Sequence, residues 1–133
     1  MIVWTNGCFD ILHRGHLEMF KYAKSLGDKL IVGIDSDDKV KKDKGPTRPI
    51  NRQADRKFML EGIRYIDKVV IFSSPEELRF NIKLNQPDIM IVGSDWQGKE
   101  VIGQEYCKEL RFFDRIEGYS TTSVLEKKND LYI

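Results

Sequence analysis

The chain has 133 residues, enough for one hydrophobic core but not for two. Apolar residues make up 41% and charged residues 32%, a balance that points to a water-soluble globular domain and away from a disordered one. Twenty-two Lys and Arg against 21 Asp and Glu leave a formal charge of +1, so no overall basic field draws in nucleic acid or an anionic membrane, and any anion site has to be local.

The first residues carry neither the charged region nor the long apolar core of a signal peptide, and no apolar run approaches the ~20 residues of a membrane span. Two cysteines, Cys8 and Cys107, are too few for a disulfide framework. The expected compartment is the cytoplasm.

An apolar run from Met1 to Trp4 predicts a strand. It leads into Thr5-Asn6-Gly7-Cys8-Phe9-Asp10-Ile11-Leu12-His13-Arg14-Gly15-His16, before a helical pattern from about Leu17. Strand, glycine turn and helix start are the ingredients of a phosphate site. Gly7 permits a tight turn and close approach of backbone N–H groups, and a helix N-terminus adds unpaired donors and partial positive charge. His13 and His16 are the chain's two histidines, and three residues apart they share a face of a first helical turn. Gly15 keeps the space between them open. A His-x-x-His metal pair lacks a third ligand at fixed spacing, so no protein-held metal is expected. Cys8 in the glycine turn is a conceivable nucleophile that the phosphate reading does not require.

Met19, Tyr22, Ala23 and Leu26 continue the helix at i, i+3, i+4 and i+7 until Gly27-Asp28. Leu30–Ile34 reads as a buried parallel strand, completing a βαβ unit. Asp35-Ser36-Asp37-Asp38 ends that strand at the edge where open α/β sheets bind ligands. From Lys39 to Asn51 the charged segment, broken by Gly45-Pro46 and Pro49, is expected as a mobile basic loop, with Lys39, Lys41, Lys42, Lys44 and Arg48 closing over phosphates. Asn51 is expected to cap a helix from Arg52 to about Tyr65.

Lys68–Phe72 is the third strand. Ser73-Ser74-Pro75-Glu76-Glu77 opens a helix to about Leu84, and Asp88–Val92 is the fourth strand. Gly93-Ser94-Asp95-Trp96-Gln97-Gly98 is a second glycine-bounded turn, 99–108 a weakly patterned short helix, and Leu110–Phe113 a fifth strand. After Arg115-Ile116-Glu117-Gly118-Tyr119-Ser120-Thr121-Thr122 a last helix is expected from Ser123 to about Lys128. Ser120 and Thr121 suit a helix cap. With Arg115, whose planar fork grips phosphate, they suit a second phosphate cradle. The alternation predicts a single Rossmann-like doubly wound α/β domain over residues 1–133 with a five-stranded parallel sheet.

Gly7-Cys8-Phe9-Asp10 with His13-Arg14-Gly15-His16 resembles the GxFD…HxGH signature of the cytidylyltransferase-like nucleotidyltransferases, which join an NTP to a small phosphorylated acceptor and release pyrophosphate. Arg115 to Thr122 resembles that family's R-x-x-G-I-S-T-[TS] motif, with Tyr119 in place of Ile. Gly93-Ser94-Asp95-Trp96 and Ile63-Arg64-Tyr65-Ile66-Asp67 are similar to segments of glycerol-3-phosphate cytidylyltransferases. Lys44-Gly45-Pro46-Thr47-Arg48-Pro49-Ile50-Asn51 with Ala54-Asp55-Arg56, like the run from Thr5 to His16, resembles the D-glycero-D-manno-heptose 1-phosphate adenylyltransferases.

The resemblance implies that His13, His16, Lys44 and Arg115 carry catalysis. Gly7, Cys8, Phe9, Asp10, Gly15, Gly93, Asp95, Arg115, Ser120, Thr121 and Thr122 would bind nucleotide, and Arg56, Arg64, Asp67 and Trp96 the acceptor. It also implies Mg²⁺ riding on the substrate triphosphate and a homodimer. The second half of the chain tilts the expectation narrowly to CTP and a sugar or polyol phosphate such as glycerol 3-phosphate. The alternative is ATP with a heptose 1-phosphate. From other classes, a non-catalytic nucleotide sensor and a flavodoxin-like electron carrier remain.

Overall fold

The computed structural model describes residues 1–114. Arg115, Ser120, Thr121, Thr122 and the expected last helix lie outside the described residues. The chain runs β1 (Ile2–Gly7), α1 (Arg14–Ser25), β2 (Lys29–Asp35), α2 (Asp37–Lys44), α3 (Gln53–Glu61), β3 (Lys68–Phe72), α4 (Pro75–Asn85), β4 (Ile89–Gly93) and β5 (Glu109–Phe113). The strands form one sheet in the order β3-β2-β1-β4-β5, and every pairing is parallel.

Both faces of the sheet are covered, which is why its central strands read as unbroken apolar runs. Val3, Leu30, Val32 and Ile89 belong to a cluster with Phe20, Ala23 and Leu60 from α1 and α3. Trp4, Ile31, Phe72 and Met90 belong to another with Leu78 and Ile82 from α4. Burying each such side chain contributes about 1.5–3 kcal/mol before entropy is counted. Gly33 lies under this second layer; a methyl group there would stand 2.8 Å from the Trp4 ring.

Three elements differ from expectation. Half of the expected mobile basic loop is helix α2, capped by the Ser36 side chain on the Lys39 N–H. Asp37 and Asp38 lie in its first turn and Lys41, Lys42 and Lys44 in its last, each sign where the helix dipole favours it. Gly45, at φ 106°, ends it. Second, α3 stops at Glu61, and its N-cap is Arg52. Asn51 is used elsewhere, its side-chain amide donating to the Asp10 carbonyl at 2.6 Å. Third, residues 99–108 hold only a 3₁₀ turn, Gln104–Tyr106, entered through Gly103 at φ 85°. Helix α1 starts at Arg14, so the histidine motif sits in its opening turn.

Among the described residues no helix is long and apolar enough to cross a membrane.

Candidate active site

Moving out from β1, the sheet runs to β2 on one side and β4 on the other, so the switch point, where such sheets bind ligands, lies at the carboxyl ends of β1 and β4. A cavity of about 380 Å³ opens there. Its walls include Asn6 and Gly7 from β1, Gly93 at the end of β4, and His16.

His13 is the N-cap of α1, and its Nδ1 accepts the Gly15 N–H at 3.1 Å. Reciprocally, His16 Nδ1 accepts the His13 N–H at 3.2 Å. The two imidazoles stack with centroids 3.8 Å apart. With each Nδ1 spent as an acceptor, the proton of the neutral ring belongs on Nε2, which becomes a donor. Burial, and then the neighbouring His13, pull His16 down from its usual 6.5 to about 4, so it is neutral near pH 7. No acidic residue occupies the first turn of α1, so the positive end of the helix dipole is left for an incoming anion.

The turn before α1 is built to hold that pair. Phe9 adopts a left-handed φ of 49°, which costs a non-glycine residue energy and needs support from its surroundings. Its ring meets His16 edge-on at 5.4 Å and Phe20 at 5.2 Å. Gly7 makes room for it, since a methyl group there would come within 3.1 Å of the ring. Asp10 is buried, and its carboxylate accepts from the Ile50 and Asn51 N–H groups, both at 2.8 Å, and from Arg48 Nε at 3.0 Å. Burial alone would raise this carboxyl, but those donors outweigh it and hold it below the usual range. Asp10 therefore ties the 48–51 loop to the turn, and Arg48 is engaged there.

Other expected site residues fall differently. Arg56, expected at the acceptor, has no exposed surface; its guanidinium donates to the carbonyls of Asn51, Cys8 and Asp35 and to the Asp37 carboxylate, at 2.7–2.9 Å. It braces the carboxyl ends of β1 and β2 against α3. Asp67 and Arg64 precede β3 and so lie at the opposite rim of the sheet. Asp67 accepts from the Leu30 N–H at 2.8 Å and from Lys24 at 2.5 Å, while Arg64 packs on Tyr65. Neither reaches the cavity. Trp96 does line it, half exposed; Asp95 folds back toward Gly93, where a methyl group would meet its carboxylate at 2.6 Å. Lys44 is exposed at the end of α2. Cys8 is half-buried with its thiol pushed up chiefly by burial, which disfavours a nucleophilic thiolate. Asp35 and Lys39 line the cavity as well. Lys39 is expected in the basic loop and stands instead in α2; its place beside Asp35 is not part of that expectation, although the position of Asp35 at the end of a central strand was the available signal.

Sheet order, switch-point cavity and histidine-capped helix place the chain among Rossmann-like α/β proteins. More narrowly, it belongs to the cytidylyltransferase-like family, whose model matches residues 4–127. It is 52% identical over 128 residues to the bifunctional protein HldE of a Nitratiruptor species, covering 95% of this chain and 27% of that protein. The HldE of Campylobacter concisus is 46% identical over 129 residues, covering 97% and 27%. The chain thus spans about a quarter of the length of these relatives. In fold it is similar to the lipopolysaccharide core biosynthesis protein from Thermoplasma volcanium, with a TM-score of 0.65 at 22% identity over 100% of this chain and 89% of that one.

Proposed function

We propose that the chain is a nucleotidyltransferase that moves the adenylyl group of ATP onto the phosphate of a heptose 1-phosphate and releases pyrophosphate. The observation that carries the transfer reading is the stacked histidine pair at an α-helix start, with neutral His16 lining a switch-point cavity. An oxygen of the acceptor phosphate attacks the α-phosphorus in line; the bond to the bridging oxygen breaks, and its electron pair leaves with pyrophosphate. The acceptor oxygen is already anionic, so no strong base is required. His16 and His13 would donate from Nε2 to the α-phosphate and leaving oxygen, and the positive end of the α1 dipole would add charge stabilisation. Lys44 would approach the outgoing phosphates, and Arg115, Ser120, Thr121 and Thr122 would hold them. Both Nδ1 atoms accept main-chain N–H groups and so offer no lone pair to a cation, which fits a Mg²⁺ ion carried by the triphosphate's own oxygens and water; bound there, it would offset phosphate charge.

For the nucleotide and acceptor, the loop from Lys44 to Asn51, with its resemblance to heptose 1-phosphate adenylyltransferases, and the high identity to HldE proteins weigh together for ATP and heptose. CTP with glycerol 3-phosphate is the second reading, favoured by Trp96 on the cavity wall. The test is pyrophosphate release from ATP and CTP, each with heptose 1-phosphate and with glycerol 3-phosphate. Turnover fastest with ATP and the heptose supports the proposal. Tight nucleotide binding without pyrophosphate from any pair would instead make the chain a sensor. A homodimer and a cytoplasmic location accompany this reading, and sedimentation tests the former.

A further inference from the structure

The cavity has a half that the transfer chemistry does not use. By the switch-point rule the nucleotide lies over β1 and β4, beside His16 and the 93–96 turn. The remaining space extends the other way along the sheet, over the ends of β2 and β3, where Asp35, Lys39, Phe72, Pro75 and Leu78 line it.

Asp35 is the last residue of β2 and Lys39 lies in the first turn of α2. Their side chains are 16% and 20% exposed, with Lys39 Nζ 3.8 Å from Asp35 Oδ1. That separation is too long for a direct hydrogen bond, so Asp35 retains accepting capacity toward the cavity. Lys39 also donates to Asp43 at 2.7 Å and stands 5.8 Å from the centre of the Phe72 ring. Its charge is shared between two carboxylates, so the group offers little net attraction to a phosphate. It offers a carboxylate acceptor and an ammonium donor side by side, next to an aromatic wall. Adjacent hydroxyls match that pair, each donating to the carboxylate and accepting from the ammonium, while the C–H face of a sugar ring suits the aromatic and aliphatic wall. The Asp35 carbonyl is held separately by Arg56 at 2.7 Å, which fixes the strand end independently of the carboxylate.

We infer that Asp35 and Lys39 are specificity-determining residues that bind the hydroxyls of the acceptor sugar. This rests on the transferase reading above, with the nucleotide over β1 and β4.

The test is steady-state kinetics of the full chain with ATP and two acceptors, a heptose 1-phosphate and ethyl phosphate, which has no hydroxyls. Asp35→Ala and Lys39→Met should each raise KM for the heptose phosphate about 10- to 100-fold, the range for a hydrogen bond to a charged group. KM for ethyl phosphate and for ATP should barely move, so discrimination between the acceptors collapses. Asp35→Asn, which keeps an accepting oxygen, should recover part of the loss. Calorimetric titration of ATP onto each variant shows whether the nucleotide half remains folded. Unaltered discrimination in variants that bind ATP overturns the inference. So does a rise in KM for ATP with that for the heptose unmoved, which would assign the pair to ribose. Wild-type protein that releases no pyrophosphate with either acceptor would overturn the transferase reading, and this inference with it.

Discussion

Replacing Arg56 with Met separates a structural role from an acceptor-binding one. The guanidinium makes four hydrogen bonds of 2.7–2.9 Å, three to main-chain carbonyls and one to Asp37, and none of its surface is exposed. Met fills the volume of the stem but leaves those acceptors without their donor. An orphaned buried polar group costs about 1–3 kcal/mol, and opening a buried ion pair on one side costs about 3–5 kcal/mol in total. Asp37 is 26% exposed and can recover water, so the carbonyls dominate and the sum should lie near 3–5 kcal/mol. At about 3–5 °C per kcal/mol for a domain of this size, Tm should fall by roughly 10–20 °C. Urea unfolding followed by circular dichroism measures the loss. A variant within about 1 kcal/mol of wild type, but with a raised KM for the acceptor, would refute the bracing role and return Arg56 to the substrate.

His16→Ala should lower kcat at least ~10²-fold, the usual result of removing one donor to developing charge, and near-normal turnover would refute its assignment. Because His16 titrates at about 4 when folded and at 6.5 when free, the unfolded chain takes up its proton first. Its contribution to stability is therefore complete above pH 6.5 and drains as pH falls toward 4; urea midpoints of wild type and His16→Asn should converge across that window, and a constant gap would refute the shift. Asp10→Asn places an amide NH₂ against N–H donors, so exchange of the Ile50 and Asn51 amides should quicken about 10-fold or more, read by NMR. Unchanged protection would show that the 48–51 loop is held by other means.

Much of the fold is legible in the sequence because burial on both faces of a parallel sheet leaves apolar runs such as Leu30–Ile34. Helix α2 is not, because only Val40 on it is buried and apolar periodicity is therefore absent. Its helical signals are electrical and local: a serine cap, early acids, late lysines and a terminal glycine. The placement of the histidines is legible too, since their spacing and the helix start put them together in the first turn of α1. The acceptor side is harder to read, since resemblance assigns residue types without saying which rim they occupy. Arg64 and Asp67 directly precede a strand, and in a parallel sheet that alone puts them on the rim away from the cavity. Arg56 is four residues from Leu60, the other buried residue of α3, and so shares its inward face.

That distant rim has its own logic. Asp28 holds the amine of Met1, Asp67 takes the Leu30 N–H, and Asp88 takes the Ile2 N–H at 2.7 Å, so three acids baste the strand beginnings together. Asp67 and Asp88 are both held below the usual carboxylate range: their hydrogen bonds outweigh burial at Asp67, and the Ile2 N–H bond leads at Asp88. These carboxylates hold the margin of the sheet that faces away from the cavity, while Arg56 and Asp10 brace the margin that carries it. A protein engineer can therefore reinforce the hem at a distance from the cavity.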